Sequence, residues 1–259
     1  MLKRSAICLA VTVLASTASA KGTKYTLADL KQLNADGSYR EAFEHIGDVP
    51  PSQRKADWID VAAEAAAGAL GTLDTDDGST IAAIEQIDKQ FPQLLKSAKY
   101  TKPRADLGYQ GIVGCFEQTN DYWGSYGLEN CSKLALKFVD KSGGDRALAL
   151  KVAKVARKSM NAYGAVPFFK RTLGPKDTAA CKDDDLKLAV VAGLGLPADD
   201  ANAVESRAIM ATCWDQLKDP ILEEFSKESK DGYVHQNACS TLLAKKAISG
   251  LQAKQCTKK

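Results

Sequence analysis

Residues 181–194, CKDDDLKLAVVAGL, and residues 239–251, CSTLLAKKAISGL, decide how this chain is read. Each opens on a cysteine, runs through an amphipathic segment and closes on Gly-Leu, at Gly193–Leu194 and Gly250–Leu251. A further cysteine follows each, Cys213 after an additional helix and Cys256 directly. They read as two passes of one pattern. The ending recurs without cysteines at Ala65…Gly68…Leu70, beside Val190…Gly193…Leu194 and Ala247…Gly250…Leu251. Glycine inside a helix costs about 1 kcal/mol against alanine, so its recurrence predicts a use. Either it ends a helix, or it lets a neighbouring helix approach closely, and both suit stacked helix pairs.

The rest of the chain has the same helical texture. Leu27, Leu30 and Leu33 stand three apart behind Thr26, an N-cap residue type. Asp36–Gly37 predicts a turn, and Ser38–Ile46 a short helix with Tyr39, Ala42, Phe43 and Ile46 on one face. Pro50–Pro51 breaks it, and Ser52 is expected to cap a helix to Leu70. Thr80–Phe91 carries Ile81, Ile84 and Ile87, and Pro92 ends it. Pro103 is expected in the first turn of the next helix, which reaches Cys115. Residues 120–127, NDYWGSYG, read as a turn before a helix over 128–139. Ser142–Gly144 breaks the chain ahead of a long helix over 145–163. Helices follow over 166–173, 182–194 (with Asp183, Asp184 and Asp185 at its dipole-favoured start), 197–217, 220–227 and 236–249.

No segment sustains the period-two alternation of a strand, which predicts an all-α protein of about eleven helices in stacked antiparallel pairs, an irregular α-solenoid. The spacings give no constant period, so a compact globular helical domain is the alternative. A single domain over 21–259 is expected, with a soft boundary near 174–181.

Gly37–Ser38–Tyr39–Arg40–Glu41–Ala42 resembles the Gly-x-Tyr-x-x-Ala segment at the turn into the second helix of a tetratricopeptide repeat. That family closes its repeat with a proline about twelve residues after the alanine; here Pro50 arrives sooner, so the helix is short. The resemblance, shared loosely with other α-solenoid proteins such as HEAT repeats, implies helix-pair architecture.

Residues 1–20 read as a secretory signal peptide: Lys3 and Arg4, an apolar run over 6–15, and Ala18–Ser19–Ala20 before a cleavage ahead of Lys21. The run is too short to span a bilayer, and no later segment reaches the roughly 18 apolar residues a membrane helix needs. Cys8 lies inside that run with Ser5 before it, unlike a lipid-attachment cysteine. The expected location is periplasmic or extracellular, at a bacterial envelope or exterior. The 35 basic and 32 acidic residues nearly balance, for a formal charge of +3. That is no nucleic-acid signature, which needs basic excess on one face.

Without Cys8, the cysteines are 115, 131, 181, 213, 239 and 256. An even set in an exported chain implies three disulfides, with fifteen pairings open. The internal repeat favours the sequential set 115–131, 181–213 and 239–256; the rival is 213–239. A straight helix over 239–256 would hold its ends about 25 Å apart, whereas a disulfide needs Cα atoms within about 7 Å. The last pair therefore requires a chain reversal, expected at Gly250.

Candidate chemistry is sparse. Asp74, Asp76 and Glu85 match positions 1, 3 and 12 of an EF-hand loop, with Ile81 at the apolar position; Gly78 and Ser79 break the register, and a solvated loop is the simpler reading. His45 and His235 are the only histidines. His235, near Tyr233 and Asn237, has the chemistry of a general base, although an ordinary hydrogen bond at a helix start explains it as well. Gly124–Ser125–Tyr126–Gly127 fails as a nucleophile elbow, because Trp123 holds the first glycine position. Oxidised cysteines supply no zinc thiolates, and no phosphate-binding glycine motif is present, so no cofactor is expected. Tyr122, Trp123 and Tyr126, between Cys115 and Cys131, are the best binding candidates, since Tyr and Trp anchor interfaces. Lys151, Lys154 and Lys158 read as a solvated face. These features favour an exported helical scaffold or binding protein with a macromolecular partner, protein or envelope polymer; the alternative is a secreted all-α hydrolase using carboxylates.

Overall fold

The computed structural model describes residues 24–73, 78–122, 124–175, 177–228 and 232–257, without the side chains of 118–126 and 257. The 1–20 segment and Asp74 and Asp76 lie outside the described residues. The protein is all-α, with thirteen α-helices and no strand among the described residues. In chain order they are α1 (Leu27–Ala35), α2 (Tyr39–His45), α3 (Ala56–Leu70), α4 (Ser79–Gln90), α5 (Ala98–Tyr122), α6 (Gly124–Asp140), α7 (Arg146–Ser159), α8 (Val166–Thr172), α9 (Asp184–Leu194), α10 (Ala201–Thr212), α11 (Trp214–Lys227), α12 (Tyr233–Ala244) and α13 (Gly250–Thr257).

Local chemistry sets several of the ends. At α1 the Thr26 hydroxyl accepts from the Asp29 amide while Asp29 accepts from the Thr26 amide, a reciprocal cap. Asp145, Asp183 and Asp200 accept from amides in the first turns of α7, α9 and α10. Ser52 does not cap α3. Residues Pro51–Gln53 form a 3-10 turn instead, and α3 begins at Ala56. Arg54 fastens the segment between them, donating to the carbonyls of Val49 and Gly47 and lying over the Trp58 ring.

Two prolines sit inside helices where helix ends were expected. Pro103 is the sixth residue of α5, because Tyr100, fully buried, holds the preceding turn in helical form. Pro220 lies within α11; the stripe Leu217, Ile221, Phe225 continues past it into the core, and the chain breaks earlier, at Cys213. Each proline forfeits one amide donor, but the apolar face it interrupts is buried on both sides of it.

Packing is orderly. The odd helices form one ladder, α1–α3–α5–α7–α9–α11, each packed on the next odd helix. From α4 onward the even helices form a second, α4–α6–α8–α10–α12. Consecutive helices join the two. A continuous apolar core runs from Leu30 to Ile248, and α7–α9 and α8–α10 packing spans the segment around 174–181.

Two of the recurrent glycines mark close approaches. A Cβ on Gly68 would overlap the Tyr39 ring, and one on Gly193 would overlap the Ser206 hydroxyl of α10 while meeting Val166 at 3.2 Å. Neither glycine simply ends its helix on a turn: Gly68 lies within α3. Gly250 differs, with φ +56° and open space around it.

The disulfides are Cys115–Cys131, Cys181–Cys213 and Cys239–Cys256, with Cα separations of 5.9, 5.3 and 5.3 Å. The first joins α5 to α6 and the last joins α12 to α13. The reversal that permits the last pair comes ahead of Gly250. α12 ends in a Schellman turn: the Lys246 amide donates to Leu243 and the Ala247 amide to Leu242, with Lys246 at φ 54°.

Candidate functional site

Four places were candidates for chemistry, and each is built by particular helices. The first is the tip between α5 and α6. Residues 120–127 are not an open turn, because α5 continues to Tyr122 and α6 begins at Gly124. Trp123 and the side chains of Tyr122 and Tyr126 lie outside the described residues. What surrounds them is a hairpin clamped by Cys115–Cys131, both sulfurs' residues buried.

The second is the interior between α4, α5 and α6. Asp88 falls on the inward stripe of α4 with Ile81, Ile84 and Ile87. It accepts from Arg104 and from the Tyr100 hydroxyl at 2.9 Å. Burial first, and the Asp88 charge second, push the Tyr100 phenol well up from 10.0. Arg104 also lies 4.6 Å over the Phe138 ring, which in turn packs on Gly108. The space left here, about 10 Å³, holds one water at most. This is a filled polar core. Glu85, the twelfth-position EF-hand candidate, stands at its rim and pairs with Lys137 at 3.2 Å. No group of three metal-ligating side chains forms among the described residues.

The third is His235, at the start of α12. Its side chain is 4% exposed, stacked on Phe225 with centroids 3.8 Å apart, and Nδ1 stands 3.4 Å from Glu228 Oε2. Glu228 also accepts from the His235 amide at 3.1 Å. A general base must reach a substrate proton; this ring is packed away from solvent and serves the joint between α11 and α12. Asn237 beside it is equally structural, donating to the carbonyls of Leu194 and Leu196 and accepting from Arg207.

The fourth was not singled out as a site from sequence. A shallow, wide-open depression lies at the start of α2, lined by Gly37, Ser38, Tyr39, Arg40, Glu41, Glu44, His45 and Thr72. Tyr39 lies against Gly68 of α3 so closely that a Cβ there would overlap the ring, which also lines this surface. His45 is stacked on Tyr25 with centroids 4.1 Å apart and bonded through Nδ1 to Asp48 at 2.8 Å. Tyr25 donates to Glu41 at 2.7 Å, and that bond, followed by the Glu41 charge, raises the Tyr25 phenol. Arg40 is paired with Glu44 at 3.2 Å. The wall thus carries two carboxylates against one guanidinium, beside an aromatic ring that packs on Gly68. The Gly-x-Tyr spacing and Gly68 were both visible in sequence, but their contact joins residues far apart in the chain.

The expected solvated face of α7 is partly engaged. Lys154 pairs with Asp183 at 2.9 Å, tying α7 to the cap of α9, and Lys151 lies 5.9 Å from the Tyr109 ring centroid.

No helix among the described residues is long and apolar enough to cross a membrane. The fold is a disulfide-braced, all-α chain of laddered helices, with a shallow depression of mixed charge beside Tyr39 at the start of α2. No protein-family model, curated protein or solved structure matches it.

Proposed function

We propose that this chain is an exported, non-enzymatic helical scaffold that binds a basic segment of another protein in the depression at the start of α2. The observation that carries the reading is the Tyr39 ring, packed on Gly68 and lining a depression whose walls hold Glu41 and Glu44. An aromatic face flanked by carboxylates attracts a lysine or arginine side chain by cation–π and Coulomb interaction together. The laddered helices supply the stiff support, as in proteins of the helical-repeat kind. Export accords with three disulfides, which persist in oxidising compartments, and with the signal-like 1–20 segment.

The test is a titration of the mature, disulfide-intact protein with a short lysine/arginine-rich peptide, followed by two-dimensional NMR. Amide shifts at Gly37, Tyr39, His45 and Thr72 that weaken with added salt and vanish in Tyr39→Ala are expected. Shifts of the same amides by soluble cell-wall glycan fragments, with none from the peptide, would replace the protein partner by an envelope polymer. Turnover of either probe would overturn the non-enzymatic reading.

A further inference from the structure

The three disulfides differ in what they hold and in how they meet solvent. Cys181 and Cys213 are fully buried, and Cys115 and Cys131 are buried at 7% and 3% exposure. Cys239 and Cys256 are both only partly buried. The first two bridges sit in the middle of the ladders. The third ties on α13, the last helix, whose one extensive packing partner is α12. α12 itself packs on α9, α10 and α11. The body of the protein therefore does not depend on α13. Ile248, 6% exposed, anchors the connection just before it. Beyond that point α13 is eight residues long, begins at a glycine with φ +56°, and carries Leu251 at 75% exposure. A helix this short is not stable in water without tertiary support.

We infer that Cys239–Cys256 is a thiol-operated latch, opened by a dithiol reductant of the thioredoxin-like class, whose reduction frees α13 and leaves the rest of the fold in place. A thiolate of the dithiol attacks one sulfur of the bridge, forming a mixed disulfide and expelling the other cysteine as a thiol. The second thiol of the reductant then resolves the mixed disulfide. Two electrons and two protons pass to the protein, the reductant leaves as its own disulfide, and Cys239 and Cys256 end as thiols. Attack requires access, and this is the one bridge whose two cysteines are both more than marginally exposed. The consequences are local. Cys239 stays on the fixed helix α12, Cys256 moves with a released tail, and the face of α12 on which α13 packs opens to solvent.

The experiment is stepwise reduction of the native, oxidised mature protein with dithiothreitol, without denaturant. Samples are quenched by alkylation and mapped by peptide mass spectrometry, with hydrogen exchange read on the same samples. Alkylation of Cys239 and Cys256 is expected on the order of tenfold or more ahead of the other four cysteines. Exchange protection over 250–257 should be lost at that step, and protection over 233–244 retained. Prior or simultaneous reduction of Cys115–Cys131 or Cys181–Cys213 would overturn the inference. So would continued protection of 250–257 after Cys239 and Cys256 are alkylated. The variant Cys239→Ser/Cys256→Ser should fold, with an exposed tail and melting of the body nearly unchanged. Failure of that variant to fold would count against a latch, because a latch opens without loss of what it closes.

Discussion

Asp88 of α4 and Arg104 of α5 face each other inside the protein in a forked ion pair, with Nε 3.1 and 3.0 Å from the two carboxylate oxygens and the terminal nitrogen 2.6 Å from Oδ2. The side chains are 1% and 3% exposed. Removing one partner strands a buried charge, so Asp88→Ala should destabilise by about 3–5 kcal/mol. Replacing both, as Asp88→Leu with Arg104→Met, should recover most of that loss, because apolar groups of similar volume avoid the desolvation cost. Urea unfolding of the three proteins checks this. A double variant no better than Asp88→Ala would show that the pair contributes more than mutual neutralisation.

Gly68 and Tyr39 form a couple of another kind, purely steric. In an isolated helix Gly→Ala is favourable by about 1 kcal/mol. Here Gly68→Ala should destabilise by about 1–3 kcal/mol, since the new methyl displaces the Tyr39 ring. In a Tyr39→Ala background the same substitution should become neutral or stabilising. Coupling of that sign in a double-mutant cycle is the expected result, and additive effects would refute the contact.

Glu205 of α10 gives a pH dependence. Burial raises its carboxyl from 4.5, outweighing the lowering by Arg171 and Lys170, and its Oε2 has no partner among the described residues. A raised acid holds its proton more tightly when folded, so its contribution is favourable at low pH and is lost as pH rises from the unfolded value through the folded one. Glu205→Gln should therefore melt about 1–3 °C above the wild type at neutral pH. The gap should close as pH falls below 4.5. Circular-dichroism melts across that range measure it, and a gap that widens on acidification would reverse the assignment.

Lys246 occupies the left-handed position of the turn after α12, at φ 54°. Glycine is the residue suited to that position. Lys246→Gly should stabilise by about 0.5–1 kcal/mol, less what glycine's freedom returns to the unfolded chain. Chemical denaturation reads the net effect. A loss of stability would mean that the lysine side chain makes a contact worth more than the relieved backbone.

The all-α class, the cap at Thr26 and the even set of cysteines follow from residue types and spacings alone, because helix periodicity and capping act within a few residues along the chain, whereas the cap at Asp200 lies inside the helix expected over 197–217. The helix boundaries near Pro103 and Pro220 did not follow. Burial of Tyr100 ahead of one proline, and of Leu217 and Ile221 around the other, outweighs the lost donor, and burial is set by neighbours distant in sequence. Asp88 left a trace, a carboxylate on an isoleucine stripe, but its answer in Arg104 required α4 and α5 to meet. The same holds for the functional reading. The aromatic run at 122–126 is legible because its residues are adjacent in the chain. The close seat of Tyr39 beside Glu41 and Glu44 has α3 presenting Gly68 to α2, a juxtaposition that tertiary packing alone creates.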